Sequence, residues 1–272
     1  MGAGGSNGVR LYAKAGTWFH SPMMPRFRDH FAFASAAYAS FRPDYPEELF
    51  SWLRTITPHH HRVWDCGTGT GQAAIALVRH FDEVVATDAS ASQLVSATAA
   101  DNVHYAAMAA EAVALGTATI DLVTVAQALH WFDVRKFFGE VDRVLKPDGV
   151  IAVWSYGLLS VDAITDSVLH ELYRETLDGY WPRERALVDS GYAEIALPYA
   201  ELSAPEISME AMWTPRELAG YLSTWSAVGR YRQAEGLDPI PEVMRRIEDA
   251  WPGTEPRRIR WPLLVRAARK GM

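Results

Sequence analysis

The sequence predicts an α/β fold in which parallel strands alternate with crossover helices, and three observations carry that reading. From Val63 onward, short β-branched runs alternate with helical stretches, the rhythm of strand, helix, strand units. The first such run leads into VWDCGTGTGQAA, Val63 to Ala74, where an aspartate is followed by glycines at 67, 69 and 71. Further on, KPDG, Lys146 to Gly149, is a turn signal that stops a helical stretch before the next apolar run.

Taken in order, the strand candidates are Arg62 to Asp65, Glu83 to Thr87, Val103 to Ala107, Ile120 to Ala126 and Val150 to Ser155. Between the first two, AAIALVRHF spaces Ile75, Val78 and Phe81 for one helical face. Before the fifth, FFGEVDRVL does the same with Phe137, Phe138, Val141 and Leu145, leaving Glu140, Asp142 and Arg143 as a solvated face. After Gly157 the rhythm breaks. Residues 158–204 hold helical pieces such as AITDSVLHELYRETL and are read as a helical insertion and substrate lid. Then come a strand in EISMEAM, a helix opened by Thr214 with Pro215 and Glu217 behind it, the helix PEVMRRIEDAW, and a last strand in IRWPLLVRAA. Pro262 gives the ladder no N–H, so that strand lies at an edge or starts at Leu263. The glycine-rich residues 1–23 are expected to be a flexible tail, with the ordered domain spanning 24–272 and Met24 a natural start.

Bulk composition narrows the function classes. A chain of 272 residues with 49% hydrophobic and 22% charged residues can bury a full core as one large domain. Its net charge of −7 argues against nucleic acid, which selects a basic face, while allowing a small anion held by one or two arginines. The single cysteine, Cys66, excludes an internal disulfide framework and fits a cytoplasmic setting, where it serves as a small packing residue. No run reaches the ~20 apolar residues that cross a bilayer, so no membrane partner is expected. His59, His60 and His61 are consecutive and cannot all face one ion from a regular element, so they read as a solvated loop and no metal is expected.

The glycine stretch follows a strand and opens a helix, which lets backbone approach a ligand closely beside free N–H groups. Two ligands compete for it. Read as Gly69-x-Gly71-x-x-Ala74, with Asp88 downstream, the stretch fits the dinucleotide fingerprint of an NAD-dependent oxidoreductase. Read from Asp65 as D-x-G-x-G-x-G, it suits a ligand with an ammonium and no phosphate, because a carboxylate at the strand end repels a pyrophosphate. Asp65 favours that second ligand.

VWDCGTGTGQAA, then VVATDAS, DLVTVAQALHWFD and RVLKPDGVIAVW stand in the order and spacing of the class I S-adenosylmethionine-dependent methyltransferases, which this chain resembles. AYASFRPDYPEELF, ALHWFD and YLSTWSAVGRY resemble the trans-aconitate methyltransferase-like subgroup, known also as methyltransferase type 11. The resemblance implies a Rossmann-like, doubly wound sheet of seven strands in the order 3-2-1-4-5-7-6, strand 7 antiparallel, with the insertion after strand 5. It implies S-adenosyl-L-methionine as cofactor and a small-molecule methyl acceptor as partner, in a monomer or homodimer. A non-catalytic protein that keeps the cofactor fold is the alternative from another class.

Site residues follow from that resemblance. Asp65, Gly67, Thr68, Gly69 and Gln72 would line the methionine part of the cofactor. Asp88 would accept both ribose hydroxyls, and Ala89, Ser90 and Gln93 would frame the adenine. Ala109 stands where the family often has an aspartate, which leaves the backbone of Ala110 and Glu111, and the Glu111 carboxylate, to meet the adenine amino group. Ala126 and Gln127 would face the methionine moiety, with Trp131 nearby, and Tyr38 and Arg42 would close over it.

Because the methyl on a sulfonium is already activated, such a site has chiefly to align a nucleophile and exclude water. A carboxylate acceptor needs only cationic donors, for which Arg42, Arg183 and Arg185 are candidates. A hydroxyl or amine acceptor would call on His130 as general base. Among many aromatic residues, Trp131, Tyr156, Trp181 and Trp225 are the pocket candidates.

Overall fold

The computed structural model describes residues 43–271. The expected tail over 1–23, a start near Met24, and the roles given to Tyr38 and Arg42 fall outside them. Within them, β1 (Arg62–Cys66), β2 (Glu83–Asp88), β3 (Val103–Ala107), β4 (Ile120–Ala126), β5 (Leu145–Tyr156), β6 (Ala200–Leu202), β7 (Ile207–Trp213) and β8 (Arg257–Arg269) form one sheet in the order β3-β2-β1-β4-β5-β8-β6, with β7 also beside β8. The order expected from the resemblance holds. β1 to β5 pair in parallel, and β8 runs antiparallel to β5.

The eighth strand arises because one edge strand is broken in two. Leu202 faces Ala267 and Ile207 faces Leu263, so the edge advances five residues while β8 advances four. The extra residue falls between β6 and β7, where Pro205 has no N–H for the ladder. β6 also lies inside the 158–204 insertion, which is therefore helical only in part.

Two expectations about strand ends are corrected. Pro262 stands within β8, which begins at Arg257 and not at Leu263. Pairing with β5 stops at Leu263, so the proline's missing donor costs no bond on that side. The KPDG turn is absorbed into β5: Leu145 pairs with Ile120 and Val150 with Leu122, and the intervening residues bulge with Asp148 at φ 61°.

The sheet is apolar on both faces, as buried parallel strands require. One face carries Val63, Val84, Leu122, Ala152 and Trp154; the other carries Trp64, Val123, Val125, Ile151 and Val153. On the first face pack α1 (Glu47–Ile56) through Leu49, Phe50 and Leu53, α2 (Gln72–Leu77), and α3 (Ala91–Val95) through Leu94. On the second packs α4 (Val134–Val144) through Phe137 and Val141. The helix after the glycines is shorter than expected, ending at Leu77, and it buries Ala73, Ala74 and Leu77 while Ile75 and Val78 are only half-buried. Small residues on that face let the helix approach the sheet closely. Glu140 and Arg143 of α4 are likewise not a free solvated face: Glu140 accepts from Val113 N, and Arg143 donates to the carbonyls of Val113 and Leu115, pinning the segment between β3 and β4.

The insertion contains α5 (Ala163–Glu171), a π-helical turn over Leu172–Thr176, and α6 (Arg185–Asp189). Beyond β7 follow α7 (Pro215–Ser223), α8 (Ser226–Glu235) and α9 (Ile240–Glu248). α7 starts as the sequence says, with a capping box: Glu217 N donates to Thr214 Oγ1 and Thr214 N to Glu217 Oε2.

Candidate active site

Strand order reverses between β1 and β4, because β2 and β3 lie to one side of β1 and β4 and β5 to the other. Ligands in such sheets bind in the crevice outside the carboxyl ends of the strands at that point. The glycine stretch leaves β1 there, and Gln127 leaves β4 there.

Each glycine in the stretch is held at positive φ, but for different reasons. A Cβ on Gly67 (φ 70°) would lie 2.5 Å from Ala128 Cβ, and one on Gly71 (φ 86°) would collide with the Tyr105 hydroxyl. Those two glycines keep the loop tight against its own protein. Among the described residues, nothing lies within 4 Å of where a Cβ on Gly69 (φ 58°) would be. Its bare backbone is therefore left uncovered by them, the cradle that close approach of a ligand needs.

Asp65 is fully buried at the end of β1, and hydroxyl protons come to its carboxylate from Thr68 Oγ1 (2.5 Å) and Thr124 Oγ1 (2.7 Å). Burial raises its pKa to about 6 against the opposing pull of those two hydrogen bonds, and the nearby Asp88 charge adds to the rise. Beside Asp65 the Cys66 thiol is buried and pushed up by the same desolvation, so it is an inert packing residue.

Asp88 closes β2 and reaches back to the loop. Its Oδ2 accepts from Gly69 N at 2.9 Å and its Oδ1 from Ser90 N at 2.8 Å, so the same side chain that shapes the loop presents carboxylate oxygens beside Gly69. Gln93 is buried next to it on α3, while Ala89 is exposed. Ala110 is buried, and Glu111 is occupied: its carboxylate accepts Asp133 N at 2.8 Å, at the start of α4. At the end of β4, Ala126 is half-buried, and Gln127 takes φ 54°, donating its backbone N–H to Trp154 O and its side-chain amide to Tyr156 O at 3.0 Å. Gln72 opens α2 from the same loop.

His130 and Trp131 sit on a 3-10 turn just after β4, their rings 4.6 Å apart. His130 Nδ1 lies 3.1 Å from the hydroxyl of Tyr192, a fully buried residue of the insertion. Burial and then the Arg185 charge press the His130 pKa down to about 4. At neutral pH this imidazole is uncharged.

A cavity of about 820 Å³ opens between the end of β5 at Gly157 and the insertion. Tyr173, Arg174, Trp181, Arg183 and Arg185 are in its wall. Arg185 is clamped: its Nε donates to Tyr173 Oη at 2.7 Å and to Asp189 Oδ1 at 2.9 Å, and its guanidinium lies 4.9 Å from the centre of the Trp181 ring. Of the predicted pocket aromatics Trp181 lines this cavity. Trp225 packs 5.6 Å behind it, Tyr156 is buried beside Tyr45 at 6.5 Å, and Trp131 stays with His130.

Sequence reading missed Thr124, Tyr173, Arg174 and Tyr192. Thr124 had a signal, a hydroxyl inside the otherwise apolar DLVTVA. Tyr173 and Arg174 had none, because it is the π turn, closed by Leu177 N to Leu172 O at 2.9 Å, that brings both into the cavity wall.

Comparisons with known proteins identify the family. The profile of the methyltransferase domain matches residues 64–153, the stretch from β1 to β5. A protein of Dictyostelium discoideum assigned as a methyltransferase is 34% identical over 86% of this chain and 90% of its own length. A Saccharomyces cerevisiae protein assigned as an S-adenosylmethionine-dependent methyltransferase is 29% identical over 46% of each chain. Among solved structures, a type II methyltransferase candidate from Anaeromyxobacter dehalogenans superposes with a TM-score of 0.82 at 39% identity, covering 85% of this chain and 99% of that one. The open cradle at Gly69, the buried acid Asp65 and the carboxylate of Asp88 fit a cofactor with an ammonium and a ribose, and the dinucleotide reading is set aside. The chain belongs to the class I S-adenosylmethionine-dependent methyltransferases.

Proposed function

We propose that this enzyme methylates a carboxylate of a small molecule held in the cavity beside Gly157. The observation that carries the proposal is the presence of Arg174, Arg183 and Arg185 in one cavity wall. A carboxylate is ionised at neutral pH, so cationic donors that orient it replace a base. Arg174 and Arg183 are exposed and their guanidinium groups make no hydrogen bond or ion pair among the described residues, whereas Arg185 is clamped by its neighbours. The first two are therefore the acceptor's anchors, and Arg185 supplies a fixed positive field.

When bound, the cofactor supplies the activated methyl. On the protein's side, Asp65 answers the ammonium, Asp88 the ribose diol, Gln93 and the Ala110–Glu111 backbone the adenine, and Ala126 and Gln127 the methionine part. No helix of the described residues is long and apolar enough to cross a membrane. The proposal takes a cytoplasmic monomer or homodimer as the working unit, with neither nucleic acid nor membrane as partner, in keeping with the net charge of −7.

Radiolabelled methyl transfer across matched panels of small carboxylic acids, alcohols and amines tests the reading. Base-labile methyl ester from the acids supports it. Label in alcohols or amines alone refutes it.

A further inference from the structure

The pairing of His130 with Tyr192 has a consequence for catalysis. Tyr192 is fully buried, at φ 61°, immediately after Gly191 at φ 62°, so the backbone holds it in an unusual conformation. Its hydroxyl carries one proton, and a buried hydroxyl left without an acceptor is costly. The acceptor that the described residues offer it is His130 Nδ1, at 3.1 Å. If that nitrogen carried the imidazole proton, the phenol proton would be stranded. Tyr192 therefore donates, Nδ1 accepts, and the neutral ring bears its proton on Nε2. The rings are nearly parallel, 20° apart at 6.1 Å, which fixes the imidazole's plane as well as its tautomer.

Among the described residues, the titratable and charged groups that face His130 are Arg185 and Tyr192, both from the insertion. Neither favours an imidazolium: one is a cation and the other already presents a donor. Nε2 has no hydrogen-bond partner among the described residues, and the ring is only partly buried. His130 is not itself among the residues that line the cavity; its turn, Leu129–Trp131, packs against α6, the helix that carries Arg185 into the cavity wall.

We propose that His130 serves the acceptor as a fixed Nε2–H hydrogen-bond donor, set by Tyr192, and not as a general base. This rests on the carboxylate reading above. There, one carboxylate oxygen takes the methyl through its own lone pair, the electrons of the broken carbon–sulfur bond stay on sulfur, and no proton moves. A donor beside Arg185 holds the other oxygen and orients the attacking one.

Two measurements decide it. Nitrogen NMR of the full chain with labelled histidine, His130 being assigned by its loss in His130→Gln, should show one ring neutral from pH 5.5 to 8 with the proton on Nε2. Tyr192→Phe should release that ring into mixed tautomers. A proton on Nδ1 in the unsubstituted protein, or titration within that range, overturns the inference. In methyl transfer to the best acid of the panel, His130→Gln, which keeps an N–H near the Nε2 position and cannot act as a base, should fall less than about fivefold in kcat/KM. His130→Ala should fall about tenfold to a hundredfold. Equal losses in both variants, with a wild-type rate that climbs through pH 6 to 7, overturn the inference while the acid chemistry stands. Turnover of alcohols or amines alone with the Nε2–H tautomer intact sinks the carboxylate reading and keeps the donor; the same turnover with His130 titrating sinks both.

Discussion

Thr124 on β4 donates its hydroxyl proton to Asp65 on β1 across 2.7 Å, and Thr68 donates to the other oxygen of the same carboxylate. Two neutral donors stabilise the anion without cancelling its burial, which is why its pKa stays near 6 and not near 3.8. The folded value stands above the unfolded one, so the ligand-free protein is most stable, as far as this group is concerned, below pH 4. It loses about 3 kcal/mol as pH rises from about 4 to about 6, because the unfolded chain ionises first. In denaturant titrations Asp65→Asn should abolish that fall, and at pH 7 it should be at least as stable as the wild type. Calorimetry should show S-adenosylhomocysteine binding tighter at pH 7 than at pH 5 in the wild type, and weak binding at both in Asp65→Asn.

The three glycines should separate stability from binding. Gly67→Ala and Gly71→Ala force a Cβ into Ala128 or Tyr105 at positive φ, and should cost roughly 2–4 kcal/mol of stability. Gly69→Ala meets only the backbone cost, about 1 kcal/mol, but places a methyl in the ligand's approach. Thermal melts with and without S-adenosylhomocysteine check this. Gly69→Ala should melt near the wild type alone and gain little from the ligand.

Asp88 has two tasks, holding Gly69 N and, in the proposed function, gripping the ribose. Asp88→Ala should weaken S-adenosylhomocysteine binding by ~1–3 kcal/mol. Asp88→Asn, which keeps one acceptor oxygen, should lose less. Calorimetric affinities equal to wild type in both variants would remove Asp88 from the site.

The arginines of the cavity should divide by their packing. Arg174→Met and Arg183→Met lie at exposed positions and should leave the melting temperature within about 1 °C, since surface changes of this kind cost little, while raising KM for an acidic acceptor. Arg185→Met removes bonds to Tyr173 and Asp189 and a cation over Trp181, and should lower both the melting temperature and kcat.

Much of this protein is written in local pattern. Strands from Val63 to Ser155 follow from short β-branched runs, the start of α7 from Thr214 and Glu217, and the cofactor loop from an aspartate and three glycines, because each depends on neighbours within a few residues in the chain. Tertiary structure alone decided the rest. The end of α2 at Leu77 and its burial through Ala73 and Ala74 are visible only in the fold, as is the one-residue slip near Pro205 that splits the edge strand. Glu111, free to meet adenine as far as sequence could tell, is bound to Asp133 N, 22 residues away. His130, in sequence a natural base, meets a tyrosine 62 residues on that takes over its Nδ1. A side chain's protonation and reach are set by burial and by partners distant in sequence, and periodicity carries no record of either.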